Sequence, residues 1–150
     1  GFHMDNGILE ERGLLPRKGA PETFDVRGLA DIVRAVRAGE EEVLVPVFDR
    51  DRELAIAAAR CIAPPDRIIL IEGNYLLLDQ APWSGLAPLI DFTIFVAPPF
   101  EELERRLTAR WHGYNLDAAV IDWKLNGNDL PNGRLVVNHS RPADLTIGDF

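Results

Sequence analysis

Between residues 27 and 38 the apolar positions recur every three or four residues. Leu29, Ile32, Val33 and Val36 therefore share one face of a predicted helix over about 27–38. Asp25 stands where a cap belongs, and Gly39 stands where such a helix ends. A second helix is predicted over 99–111. Glu101 and Glu102 fall in its first turn and Arg105, Arg106 and Arg110 toward its end, the order that the helix dipole favours. A third helix is expected over about 116–125.

Continuous apolar runs mark the strands. Val43 to Val47 reads as a short strand before the charged turn Asp49-Arg50-Asp51. Residues 54–62 read either way, since alanine favours helix while the short length also allows a strand. Arg67 to Ile71 is the clearest strand, a β-branched run expected to be buried on both faces of a parallel sheet. Phe92 to Val96 is a second buried strand, ending at Pro98-Pro99. Asn128 to Gly133 reads as a turn, with Leu135 to Val137 and Leu145 to Ile147 as short final strands. Residues 1–25, rich in Gly, Pro and charge, read as a long loop with short turns. This alternation predicts one α/β domain with a mostly parallel sheet flanked by helices.

Composition narrows the function classes. The chain has 150 residues and a net charge of −8, which argues against a broad basic face for nucleic acid. A phosphorylated metabolite needs only a local cationic cluster, so that class stays open. No apolar run approaches the roughly 20 residues of a membrane span. The single Cys61 excludes an intrachain disulfide and points to a reducing cytoplasm. Apart from Lys18 and Lys124 the basic residues are all arginine, whose planar fork suits phosphate and carboxylate oxygens.

Ligands of open α/β sheets bind beyond the carboxyl ends of the strands. Glu72 follows Ile68-Ile69-Leu70-Ile71, and Phe48-Asp49-Arg50 follows the 43–47 run. Glu72 reads either as an acid facing a metal or phosphate, or as an edge acid capping the next helix. Arg17 and Lys18 flank Gly19, and Asp25 opens the following helix. That block reads either as a ligand loop or as a solvated loop with an N-cap. Arg106 and Arg110 share a helix face, where they could neutralise a transferring phosphoryl group or pair with Glu101 and Glu102. The three histidines share no metal-ligand spacing.

Five ordered blocks carry a resemblance. They are Arg17-Lys18-Gly19-Ala20-Pro21-Glu22-Thr23-Phe24-Asp25, Pro46-Val47-Phe48-Asp49-Arg50, Glu72-Gly73-Asn74-Tyr75-Leu76-Leu77-Leu78, Arg105-Arg106-Leu107 with Arg110-Trp111, and Asn128-Asp129-Leu130-Pro131-Asn132. Together they resemble the uridine kinase, pantothenate kinase and phosphoribulokinase superfamily of P-loop kinases, nearest to its nucleoside kinase-like or fructokinase-like bacterial branch. The resemblance implies a P-loop NTPase-like fold, ATP and Mg²⁺ as cofactors, and a small hydroxylated metabolite as acceptor. It implies that Glu72 helps hold Mg²⁺. His3, Lys18, Asp25, Phe48 and Asp49 would wall the acceptor pocket. Arg105, Arg106 and Arg110 would be lid arginines, in a lid over about 99–126, and Asn132 would lie near the nucleotide base.

The departure from that pattern is specific. No Gly-x-x-x-x-Gly-Lys-Ser/Thr occurs in the 150 residues, and no acid precedes Gly1. The expectation is a kinase domain lacking its first strand, phosphate loop and first helix, and inactive as this chain alone. Exposed sheet surface would then favour self-association, including a homodimer. The alternative is a truncated, non-catalytic paralogue that binds a metabolite or partner. A nucleotide hydrolase is disfavoured, because it needs no acceptor block. Phe2 and the fit of Gly1-Phe2-His3 to the family's pattern favour reading these residues as native sequence over a vector-derived leader before Met4.

Overall fold

The computed structural model describes residues 1–114 and 116–148. Helix α2 (Val26–Ala38) is the centre of the larger core. The Asp25 Oδ1 accepts the Gly28 N–H at 2.9 Å, and Gly39 leaves the helix at φ +64°, a left-handed conformation that suits glycine. Val26, Leu29, Ala30 and Val33 are buried against Tyr75, Leu78, Trp83 and Leu86, the last two from a 3₁₀ segment (Trp83–Leu89). Two buried aromatics also tie down the N-terminal loop. The Tyr75 hydroxyl donates to the Gly19 carbonyl at 2.7 Å, and Trp83 Nε1 donates to the Pro21 carbonyl at 3.2 Å.

Residues 1–25 hold more order than a loop with short turns. Helix α1 (Asn6–Glu11) is capped by Asp5, whose Oδ1 accepts the Gly7 N–H. His3 bridges antiparallel to Phe24, through Met4 N–H to Thr23 O and Asp25 N–H to Phe2 O. The chain start is thereby laid beside the mouth of α2.

Strands β1 (Val43–Asp49) and β2 (Leu54–Ile62) form an antiparallel hairpin, from Val43 opposite Ile62 to Asp49 opposite Leu54. Residues 54–62 are therefore strand, because pairing with β1 overrides the helix preference of alanine. The register shifts between Val45 and Val47, around Pro46, which has no N–H to give the ladder. Strands β3 (Ile94–Val96) and β4 (Leu145–Ile147) form a parallel pair. The single mostly parallel sheet expected from the sequence is thus replaced, among the described residues, by one antiparallel and one parallel pair.

Three further expectations are corrected. Arg67 to Ile71 forms no strand, with Ile68 84% and Leu70 92% exposed. β-Branched residues favour a strand, but only a neighbour supplies its hydrogen bonds, and no described strand lies beside this one. Phe92 to Val96 is strand only from Ile94 and is not buried on both faces, since Phe92, Ile94 and Val96 are exposed. The expected turn at Asn128 to Gly133 and strand at Leu135 to Val137 are helical. Helix α4 (Ala118–Lys124) runs through one π-helical turn (Leu125–Asp129) into α5 (Leu130–His139). The wider π turn carries the Asn-Gly-Asn-Asp run, and Pro131, just after it, has no N–H to give a carbonyl of that turn, which suits the change of helical pitch there. Helix α3 (Phe100–His112) packs on this unit through Phe100, Leu107 and Trp111 against Ile121, Leu125 and Leu130.

Candidate active site

Two clefts meet at His3 and Asp25, which line both. The smaller, about 340 Å³, is completed by Met4, Asp5, Ile8 and Arg12. The larger, about 420 Å³, runs between α2 and the hairpin, walled by Phe2, Ile32, Leu44, Pro46 and the alanines of β2. Both owe their shape to the His3–Phe24 bridge, which sets the chain start across the N-terminus of α2.

The His3 ring lies 4.3 Å from that of Phe24 and 4.8 Å from that of Phe48. Its Nδ1 is buried and has no hydrogen-bond partner among the described residues. Burial lowers the His3 pKa, with smaller downward pushes from the chain's amino group, Lys18 and Arg50 and an upward one from Glu53. His3 is therefore a neutral imidazole near pH 7. Asp25 commits Oδ1 to the helix cap, and its other oxygen has no partner among the described residues. A neutral imidazole beside a half-committed carboxylate can receive hydroxyl groups.

Lys18 and Asp49 lie close by in different roles. Lys18 Nζ stands 5.1 Å from the centre of the Phe48 ring and bonds Asn6 and Glu53. Asp49 Oδ1 accepts the N–H groups of Asp51 and Arg52, so this carboxylate shapes the hairpin turn. The structure thus gathers His3, Lys18, Asp25, Phe48 and Asp49 into one region. Asp5, Arg12, Asn6 and Glu53 also belong to it and were not singled out in the sequence. Asp5 carries a readable signal, an N-cap residue before a helix.

The remaining candidates lie elsewhere in the fold. Glu72 is exposed just after the unpaired run of residues 67–71 and has no partner among the described residues. Among those residues, no group of three His, Cys, Asp or Glu is gathered for a metal. Arg105 clasps Glu102 with Nε and Nη2, both at 2.7 Å, and Arg106 Nε reaches Glu102 Oε1 at 2.6 Å. These bonds draw the Glu102 carboxyl down to about 2. Arg110 bonds Asp129 Oδ2 at 3.1 Å, an oxygen that Trp111 Nε1 also reaches at 2.7 Å. Asn132 is buried in α5 and donates to Asn128 Oδ1. Arg110 and Asn132 therefore each bond a residue of the same π turn.

No protein-family model matches the chain. Known proteins do. A crystal structure of a candidate fructose transport system kinase from Silicibacter sp. TM1040 superposes with a TM-score of 0.91 at 45% identity, over 97% of this chain and 70% of that one. A pantothenate kinase of Streptomyces coelicolor is 33% identical over 111 residues, 70% of this chain. The chain belongs to the pantothenate kinase- and uridine kinase-like P-loop kinases. The uncharacterized protein YggC of Escherichia coli (strain K12) is 37% identical over 147 residues, 98% of this chain. The chain spans 60% of YggC and 34% of the Streptomyces kinase. Among the described residues of this family member, no helix is long and apolar enough to cross a membrane.

Proposed function

We propose that these residues form the acceptor site and lid of an ATP-dependent kinase that phosphorylates a hydroxyl of a small metabolite. The acceptor classes are a nucleoside, a sugar or a pantothenate-like alcohol. The carrying observation is Asp25, with one oxygen fixed by the α2 cap and the other unpartnered at the junction of two clefts, beside a neutral His3. A carboxylate held in this way accepts a substrate hydroxyl without having to reorganise. Phe48 supplies the apolar wall, and Lys18 and Asp49 shape the hairpin end of the site.

Arg105, Arg106 and Arg110 fit the part of lid cations. All three sit on α3, and the carboxylates that hold them, Glu102 and Asp129, can be exchanged for phosphate oxygens. Glu72 fits Mg²⁺, because this ion is commonly held by one or two carboxylates plus water and phosphate oxygens. When bound, Mg²⁺ would neutralise phosphate charge. Asn132 is assigned to the nucleotide-base side. Phosphoryl transfer also needs a phosphate-binding loop, and no Gly-x-x-x-x-Gly-Lys-Ser/Thr is among the 150 residues. These residues alone should therefore bind an acceptor yet turn over MgATP negligibly.

Calorimetry with uridine, fructose and pantothenate tests the acceptor site. One class should bind, and Asp25→Asn, which keeps the helix cap, should weaken it at least about tenfold, the loss of one hydrogen bond from a charged partner. Binding of none, or equal binding by the variant, overturns the reading. Ordinary MgATP turnover by this chain would overturn the requirement for the loop.

A further inference from the structure

Lys18 has three N–H donors, and the fold uses all of them. Nζ donates to Asn6 Oδ1 at 2.8 Å, to the Glu53 carbonyl at 2.8 Å and to Glu53 Oε2 at 3.1 Å. The side chain is only 16% exposed, so water competes little for these bonds. In this arrangement the ammonium has no hydrogen left for an acceptor. A cation placed beside a substrate cleft is here consumed by the protein itself.

Its partners come from two separate elements. Asn6 opens α1, and Glu53 closes the tip of the β1–β2 hairpin. A two-stranded hairpin is marginal on its own, and most of β2 is exposed. Glu53 also sits at φ +56°, a left-handed conformation that is strained for a residue with a side chain. Lys18 grips both the carbonyl and the carboxylate of that strained residue.

We propose that Lys18 is a positioning residue that latches the hairpin tip, with Asn6 and Glu53 as its catches. It shapes the acceptor cleft by holding Phe48 over His3 and does not itself touch the acceptor. The consequence for acceptor binding rests on the reading above, whereas the latch is a property of the chain without any ligand. With the latch closed, Leu44, Pro46 and Ala55 wall the larger cleft. With it open, the cleft loses that wall.

Hydrogen exchange and an NMR titration of His3, on the whole chain without nucleotide or acceptor, test the latch. In Lys18→Met, Asn6→Ala and Glu53→Ala, the paired amides of β1 and β2 should exchange at least about tenfold faster, while α2 keeps its rates. The titration separates opening from simple charge loss. Removing the Glu53 charge alone would lower the His3 pKa further, because that carboxylate raises it. Hairpin opening rehydrates the imidazole and raises its pKa. A rise is expected in Glu53→Ala, and also in Asn6→Ala, which changes no charge. A fall in Glu53→Ala, unchanged hairpin exchange, or exchange that quickens equally in α2 would overturn the latch. Failure of the kinase reading would look different: no acceptor bound, with the latch intact.

Discussion

Thr93 and Asp144 bond each other in both directions. The Thr93 hydroxyl donates to Asp144 Oδ2 at 2.6 Å and accepts the Asp144 N–H at 3.0 Å, while the Thr93 N–H donates to the same Oδ2 at 2.8 Å. The clamp lies one residue before Ile94 pairs with Leu145, so it sets the register of two three-residue strands. Thr93→Val keeps the shape but leaves the Asp144 N–H unpaired. It should lower the melting temperature by a few degrees, whereas Thr93→Ser should hold most of it. Equal melting of the valine variant and wild type would show that the clamp does not set β3 on β4.

Glu102 gives the fold a dependence on acid. Its hydrogen bonds from Arg105 and then Arg106 hold the folded carboxyl at about 2, below an unfolded value of about 4.3. A depressed pKa gives stability that is fully present above the unfolded value and lost as pH falls toward the folded one. The loss should therefore fall between about pH 4 and pH 2. Both arginines are exposed, so the effect should be modest and shrink in high salt. Urea unfolding against pH should show a shallower acid slope in Glu102→Gln. Identical slopes would place the acid sensitivity elsewhere, with Asp144 the next group to test.

How far the sequence could be read follows from where each signal resides. Helix α2 was legible to within one residue at its start and to the residue at its end, because the apolar face lies within it and Asp25 and Gly39 flank it. Helix α3 was legible to within one residue at each end, because the order of its charges also lies within it. Arg67 to Ile71 misled because strand structure belongs to a pair, and the run contains only one member. Asn128 to Gly133 misled because Asn, Gly and Asp signal turns, yet one π turn carries them inside a continuous helix. In the site, the resemblance led to His3, Lys18, Asp25, Phe48 and Asp49, which the fold brings together. That Lys18 is saturated by Asn6 and Glu53 was not legible, since it depends on contacts 12 and 35 residues away.

The misleading strand makes its own prediction. Leu70 lies within the apolar run Ile68 to Ile71 and is 92% exposed, whereas Leu78, eight residues on, is 2% exposed. Leu78→Ala should cost about 2–5 kcal/mol through lost burial and a cavity beside α2. Leu70→Ala should stay within about 0.5 kcal/mol of wild type. Chemical denaturation of the two variants decides it, and comparable losses would mean that residues 67–71 are covered in solution.

Asp25 and Gly28 allow one residue's two roles to be separated. Gly28 is the third residue of α2, and a Cβ built there would run into the Asp25 carboxylate. In an ordinary helix interior, Gly→Ala stabilises by about 1 kcal/mol. Here the methyl group must push the carboxylate off the Gly28 N–H, losing a cap bond commonly worth about 1 kcal/mol. Gly28→Ala should therefore bring no gain in the wild-type background. In an Asp25→Ala background the obstacle is gone, and the same substitution should stabilise by up to about 1 kcal/mol. This reversal, read from a double-mutant cycle of unfolding free energies, isolates the contact from propensity. Acceptor binding supplies the second readout. Asp25→Asn should keep stability and lose affinity, while Gly28→Ala should lose affinity because it displaces the same carboxylate. A Gly28→Ala variant that gains stability and binds normally would mean that the Asp25 carboxylate can move aside freely, which would remove the basis for reading it as a preorganised acceptor of substrate hydroxyls.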